Sequence, residues 1–214
     1  MNVLLKICVV VFTATVVPQC RGASREKSEN AAEVTTGENP FYEFWDKNTA
    51  ALILRSTDSL TPCQWYKRVQ HDKKGVTLLT GSYISTSRRW SWTDNKHWTF
   101  NNNGSMSWSY DGDSSEKVML HQGPNSACAV VATTYVMKIE TSEEDDLGNE
   151  CTENPPGSKV FFCDYGTKYE LIVGKDHKTT KAKDCVEDYE TKLGRNQDTR
   201  KEDIDKCIDP EESR

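Results

Sequence analysis

Between Arg89 and Tyr110 large rings return at every second position: Trp90 and Trp92, Trp98 and Phe100, Trp108 and Tyr110. Serine, threonine and other small or polar residues fill most places between them. Successive side chains of a strand point to opposite faces, so each pair sets two rings on one face. Asn101-Asn102-Asn103-Gly104 interrupts the alternation with residues that tolerate positive φ, which predicts a β-hairpin. A sheet with one face this aromatic must cover it. Either the rings fill an ordinary core against a second sheet, or the sheet curls around an interior that they line.

The rest of the chain is punctuated in the same way. Asn39-Pro40 ahead of Phe41-Tyr42-Glu43-Phe44-Trp45 predicts one or two helical turns, with the asparagine as cap and the proline at the first helical position. Strands are expected at Ala50–Thr57, Cys63–Val69 and Val76–Ser85, with Lys73-Lys74-Gly75 as the turn into the third. The aromatic hairpin supplies a fourth and a fifth, and Lys117–Leu120 a short sixth. Gly123-Pro124-Asn125 turns into the β-rich run Cys128–Met137, a central strand, and Tyr169–Val173 is the last. From Cys185 the pattern is helical, with Val186, Tyr189 and Leu193 on one face. Eight mostly sequential strands followed by a helix compose a closed antiparallel up-and-down barrel. Its interior is just wide enough for one small ligand. The expected fold is therefore mainly β, an eight-stranded antiparallel barrel with a short N-terminal helix and a C-terminal helix, stapled by disulfides.

Met1–Gly22 reads as a secretory signal: Lys6 is a weak positive start, Ile7–Val17 the apolar core, and cleavage falls after Gly22. That apolar run is too short to span a bilayer. Ala23–Glu38 is polar and without periodicity, a disordered leader, and residues 39–214 form one domain. Cys8 and Cys20 leave with the signal. Cys63, Cys128, Cys151, Cys163, Cys185 and Cys207 remain, and an even number in an exported chain predicts three disulfides. Cys151 and Cys163, twelve apart around Asn154-Pro155-Pro156-Gly157, suit a local bridge. Without Lys6 and Arg21 the charged residues stand at 25 basic against 33 acidic, and the net charge moves from −6 to −8. Nucleic acid and membrane surfaces are not expected partners of such a chain, whereas a cationic small molecule is drawn to it. Asn103-Gly104-Ser105, the one N-x-[ST] sequon, sits at the hairpin tip and marks Asn103 for glycosylation.

Catalytic chemistry finds no foothold. His71, His97, His121 and His177 are scattered without ligand spacing, no pair of carboxylates stands on a common framework, and no nucleophile, zinc or phosphate-binding motif occurs. The expectation is a binding protein, with no enzyme activity, no cofactor and no metal, and a monomer.

One family is similar to this pattern. Cys63 opens the second strand and Cys128 the strand before the last. The last strand carries Tyr169-Glu170-Leu171, and the tail reads Cys185-x-x-x-Tyr189, Gly194-Arg195 and Cys207. With the pairs Trp98-x-Phe100 and Trp108-x-Tyr110, the chain from about Phe41 to Cys207 resembles the tick salivary lipocalins, the histamine-binding-protein family. The resemblance implies a lipocalin barrel that captures small host mediators. It also implies the bridges Cys63–Cys207 and Cys128–Cys185, with Cys151–Cys163 as an extra one. In the amine binders of that family a carboxylate follows the cysteine corresponding to Cys128, where this chain has Ala129. Their ligand-holding loop between the first two strands is reduced here to Asp58–Pro62.

The candidate binding residues are Glu170, Trp108, Tyr110, Trp98, Phe100, Trp92 and Tyr66. Glu170 is the single carboxylate in the last strand and faces opposite to Tyr169 and Leu171. Turned inward among rings it needs a cation or a donor, and a protonated amine meeting aromatic faces would serve. Turned outward it is solvated, or else it pairs with Arg55 or Lys67. Of Trp65 and Tyr66 only one can face inward, and Tyr66 offers a hydroxyl. The expected function is sequestration of a biogenic amine such as histamine or serotonin. The alternatives are an apolar lipid, such as a leukotriene, fatty acid or sterol, or a host protein met by the acidic insertion Thr141–Gly157.

Overall fold

The structure, a computed structural model, describes residues 39–58, 62–93, 95–141, 147–177, 182–193, 200–201 and 206–210. The expected signal Met1–Gly22 and leader Ala23–Glu38 lie outside them, as do residues 142–146 of the acidic insertion and Gly194-Arg195 of the tail. In chain order the elements are α1 (Pro40–Lys47), β1 (Ala50–Ser56), β2 (Gln64–Asp72), β3 (Gly75–Ile84), β4 (Arg89–Trp92), β5 (Lys96–Phe100) and β6 (Ser105–Tyr110). There follow β7 (Asp113–Gln122), β8 (Cys128–Glu140), β9 (Cys151–Glu153), β10 (Val160–Gly174), α2 (Lys183–Leu193) and β11 (Arg200–Lys201).

Strands β1, β2, β3, β5, β6, β7, β8 and β10 pair in that order, all antiparallel. Pairing of β10 with β1 closes the ring. The fold is thus the eight-stranded antiparallel up-and-down barrel expected from the sequence. Strands β4, β9 and β11 are short additions at the edges of β3, β10 and β1. The fourth and fifth strands expected from the aromatic hairpin are β5 and β6, while the leading pair Trp90 and Trp92 forms β4, a separate strand outside the ring. The last strand is also far longer than Tyr169–Val173: a bulge between Asp164 and Thr167 lets Val160–Gly174 run as one strand.

Both faces of β1 are covered, which is why all seven of its residues are buried. Ala51 and Ile53 point into the barrel with Tyr66, Val76, Leu78, Trp98, Met106, Ala129, Val131 and Ile172. Phe41, Phe44 and Trp45 from α1 join this inner cluster and fill one end of the barrel. The alternate residues Ala50 and Leu52 pack outside against Trp65 and Cys207. Leu54 meets α2 through Cys185, Tyr189 and Leu193. A bulge between Ile53 and Arg55 turns Arg55 to the same outer side, where its Nη1 donates to Glu190 Oε1 at 2.8 Å.

Helix α1 is pinned at both ends. Asn39 caps it, accepting from the Phe41 N–H at 2.9 Å, while its Nδ2 donates to the carbonyls of Asn101 and Ser105 in the β5–β6 turn. Buried Asn48 donates to Phe44 O and to Ser126 O, each at 2.8 Å. Arg68 donates to the carbonyl of Trp45, the last buried ring of the helix.

The three disulfides are Cys63–Cys207, Cys128–Cys185 and Cys151–Cys163. The first holds the tail to the entry of β2, the second holds α2 to the start of β8, and the third links β9 to its neighbour β10. Gly123 leaves room for the second, because a Cβ there would lie 2.6 Å from Cys128 Sγ and 2.9 Å from Cys185 Sγ. No helix among the described residues is long and apolar enough to cross a membrane.

Loop-closure entropy orders the value of these bridges. Cys128 and Cys185 are 57 residues apart and Cys151 and Cys163 only 12. Replacing both members with alanine should cost about 4 kcal/mol for the former pair and just under about 3 kcal/mol for the latter. Urea unfolding of the two double variants checks the order, with Cys128→Ala/Cys185→Ala having the lower midpoint.

Candidate functional site

A two-residue turn decides what the barrel holds at its centre. Asp111 (φ 50°) and Gly112 (φ 91°) join β6 to β7, both at the positive φ that a type I′ hairpin needs. With Tyr110 opposite Asp113, the register places Trp108 opposite Ser115 and Met106 opposite Lys117. Directly opposed residues share a face. Met106 belongs to the inner cluster, so Lys117 is carried into the barrel.

Strand β8 continues the ring, with Thr133 opposite Lys117 and Val131 opposite Glu170 of β10. Glu170 lies two residues from Ile172 of the inner cluster and shares its face, whereas Leu171 and Val173 pack outside. The inward orientation expected for Glu170 is the one found. Tyr66 rather than Trp65 faces inward from β2.

Lys117, Glu170 and Tyr66 meet inside. Lys117 Nζ donates to Glu170 Oε2 at 2.8 Å, to Thr133 Oγ1 at 2.9 Å and to Tyr66 Oη at 3.1 Å. An ammonium has three N–H groups, and each has an acceptor. The Tyr66 hydroxyl in turn donates to the Glu170 carboxylate, 3.0 Å from both oxygens. Ring faces complete the enclosure: Lys117 Nζ is 5.1 Å from the centroid of Tyr66 and 5.5 Å from that of Trp98. Trp45 of α1 stands edge-on to Tyr66 at 6.4 Å.

Lys117 is 4 % exposed and Glu170 8 %. Neither charge could be held there alone, and their pairing with full hydrogen bonding is what makes the burial tolerable. Burial first, then the Glu170 charge and its hydrogen bond, raises the Tyr66 pKa well above the ordinary tyrosine value, so the hydroxyl stays a donor.

The partner of Glu170 is therefore neither Arg55 nor Lys67. Arg55 is engaged by Glu190 on the outer face, and Lys67 lies over the Trp92 ring at 5.7 Å. Lys117 carried a detectable signal that the sequence reading passed over: Asp111-Gly112 is the strongest kind of short hairpin turn, and counting outward from it pairs Lys117 with Met106.

Among the candidate rings, Trp98 is in the inner cluster, and Phe100 and Trp108 pack against it. Two are elsewhere. Trp92 stacks on Trp90 at 4.8 Å and packs outside with Trp65 and Leu52. Its ring lies over Gly81, where a Cβ would meet it at 2.5 Å. Tyr110 is 74 % exposed and lines a surface hollow of about 260 Å³ with Asp111, Asp113, Lys138 and Glu140. Asn103 is exposed in the β5–β6 turn, and its Oδ1 accepts from the N–H and the hydroxyl of Ser105.

A second lysine shares the inner face of β5. Lys96 stands two residues before Trp98 on the alternating strand, and its Nζ lies 4.3 Å from the centroid of Trp108. Lys117 is paired with Glu170, and Lys168, opposite Thr133, is paired with Asp58 at 3.0 Å. Lys96 has no carboxylate within ion-pair distance among the described residues. Burial lowers its pKa, a fall opposed by Asp113 and increased by Lys117.

A closed eight-stranded up-and-down barrel with a helix over one end, a second helix on its flank and three disulfides is a lipocalin-like barrel. Comparison with protein-family models and with curated proteins finds no match to this chain.

Removing one member of the buried pair should be far worse than removing both. Lys117→Met strands the Glu170 charge and should cost about 3–5 kcal/mol, and Lys117→Met/Glu170→Met should recover most of that. Unfolding free energies of the two variants measure the difference.

Proposed function

We propose that the protein is a secreted lipocalin of the tick salivary kind that sequesters a small mediator, and that its cargo is an apolar acid such as a fatty acid or leukotriene. The observation that carries this choice is the charge left over inside the barrel. Glu170 is already neutralised by Lys117, so a ligand amine would have to displace a covalently tethered one. Asp113, at the far end of β7, accepts from the Tyr135 hydroxyl and the Lys138 N–H. Lys96, on the inner face and half-buried over an indole, has no carboxylate within ion-pair distance among the described residues.

A carboxylate arriving at Lys96 supplies the counter-ion that its surroundings lack, in a charge-assisted hydrogen bond. An alkyl or polyene tail then has Trp108, Phe100 and Met119 to lie against, all packed on the inner cluster. Three disulfides suit an oxidising compartment, in keeping with the expected signal peptide. Sequestration is stoichiometric, so such a protein acts by abundance and affinity, not turnover.

Calorimetry against a panel of fatty acids and leukotrienes beside histamine and serotonin tests the reading. Acids should bind and amines should not; the reverse overturns it. A charge-assisted hydrogen bond contributes about 1.5–3 kcal/mol, so Lys96→Met should weaken the acid by roughly ten- to a hundredfold. The lowered Lys96 pKa gives the sign of the pH effect. Binding needs the ammonium, so affinity falls as pH rises through a value below the usual lysine pKa of about 10.4.

A further inference from the structure

Lys117 occupies its surroundings as a ligand would. Its ammonium meets one carboxylate, one phenol, one aliphatic hydroxyl and the faces of two rings. Every acceptor belongs to another strand: Glu170 to β10, Tyr66 to β2 and Thr133 to β8. The set converges on a point in the interior and is matched to a primary ammonium, three N–H groups for three acceptors. A guanidinium would bring a planar fork of five donors, and a quaternary ammonium none.

We infer that these residues form a receptor site for a primary alkylammonium, and that Lys117 sets the ligand class of the barrel by filling it. The four-carbon stem of Lys117 is the bound alkyl chain, tethered to β7. While it is in place the cation site is closed to amines and the interior is left to other ligands. Without it, Glu170, Tyr66, Thr133 and Trp98 remain in position on β10, β2, β8 and β5, and a free amine of matching length replaces the stem. The inference rests on the barrel being a ligand-binding interior, and the two readings fail separately. Acid binding is read at Lys96, and amine rescue at Lys117.

Chemical rescue tests it. Lys117→Ala, which removes the ammonium and the three stem carbons beyond Cβ, is titrated with n-propylamine and, as a neutral counterpart of the same size, n-propanol. The variant should melt below the wild type. Propylamine should raise its melting temperature and bind one to one, at least about tenfold tighter than it binds the wild type, and propanol should do neither. Lys117→Ala/Glu170→Gln should lose the response. A natively folded Lys117→Ala, by circular dichroism, that binds propylamine no better than the wild type overturns the inference.

Should Lys117→Ala fail to fold even with the amine present, the wild type supplies the second readout. Its Lys117 side-chain ammonium should give a proton–nitrogen NMR signal protected from solvent exchange and unmoved by millimolar histamine. A signal that exchanges like that of a surface lysine, or that histamine displaces, overturns the inference equally.

Discussion

The ion pair between Lys117 and Glu170 constrains this molecule more than any apolar contact does. Hydrophobic packing tolerates a good deal of substitution as long as volume and pattern are kept. A buried charge does not, because it must find its one partner or unfold the region around it. Lys117 and Glu170 sit on strands separated by β8, and Tyr66 reaches them from β2. Their meeting therefore requires the right register in the β6–β7 hairpin, in β7–β8 and in β8–β10 together. A slip of one residue in any of these would send a charge to the outer face. The pair contributes specificity of register even where its net contribution to stability is small.

The interior is divided along its axis. At one end α1 seats Phe41, Phe44 and Trp45 among aliphatic residues of β1, β3, β8 and β10, and that end is solid core. Farther along come the buried pair, then Lys96 over Trp108. Of the rings proposed to line an interior, Trp98 is core, and Phe100 and Trp108 pack against that core. Trp98 takes part in both regions, packed in the inner cluster while presenting its face to the Lys117 ammonium.

How far the sequence could be read follows from how local each signal is. Asn39-Pro40 acts within one turn of helix, Asn101–Gly104 within one hairpin, and Cys151 and Cys163 within one excursion, and each forms as its residues suggest. The inward turn of Glu170 was legible because alternation in a strand is local too. Its partner was not read, since that depended on noticing that Asp111-Gly112 fixes a register five residues away. Trp92 misled because alternation reports which residues share a face without saying which face of the sheet is the inside. A short strand that pairs only with β3 can turn its rings to the outer wall. Arg55 illustrates the limit from another side: one bulge in β1 reverses the alternation, and nothing in Leu54-Arg55-Ser56 announces it.

Ala129 shows how these constraints bear on ligand class. The residue is fully buried in the inner cluster, two positions before Val131, in the region where the rings of α1 fill the barrel. A carboxylate at that point would be enclosed by apolar groups, with the nearest inward lysine on this strand pair already committed to Glu170. Among the described residues Glu170 is the buried acid of the inner face, and Lys117 neutralises it from within. The methyl group at Ala129 and the pairing of Glu170 act in the same direction. They keep uncompensated negative charge from these inner positions, and Lys96 stays half-buried with no carboxylate within ion-pair distance among the described residues. On the function proposed above, the acidic surface and the cationic side chain of the interior would favour ligands of opposite charge, and the contacts made inside would decide between them.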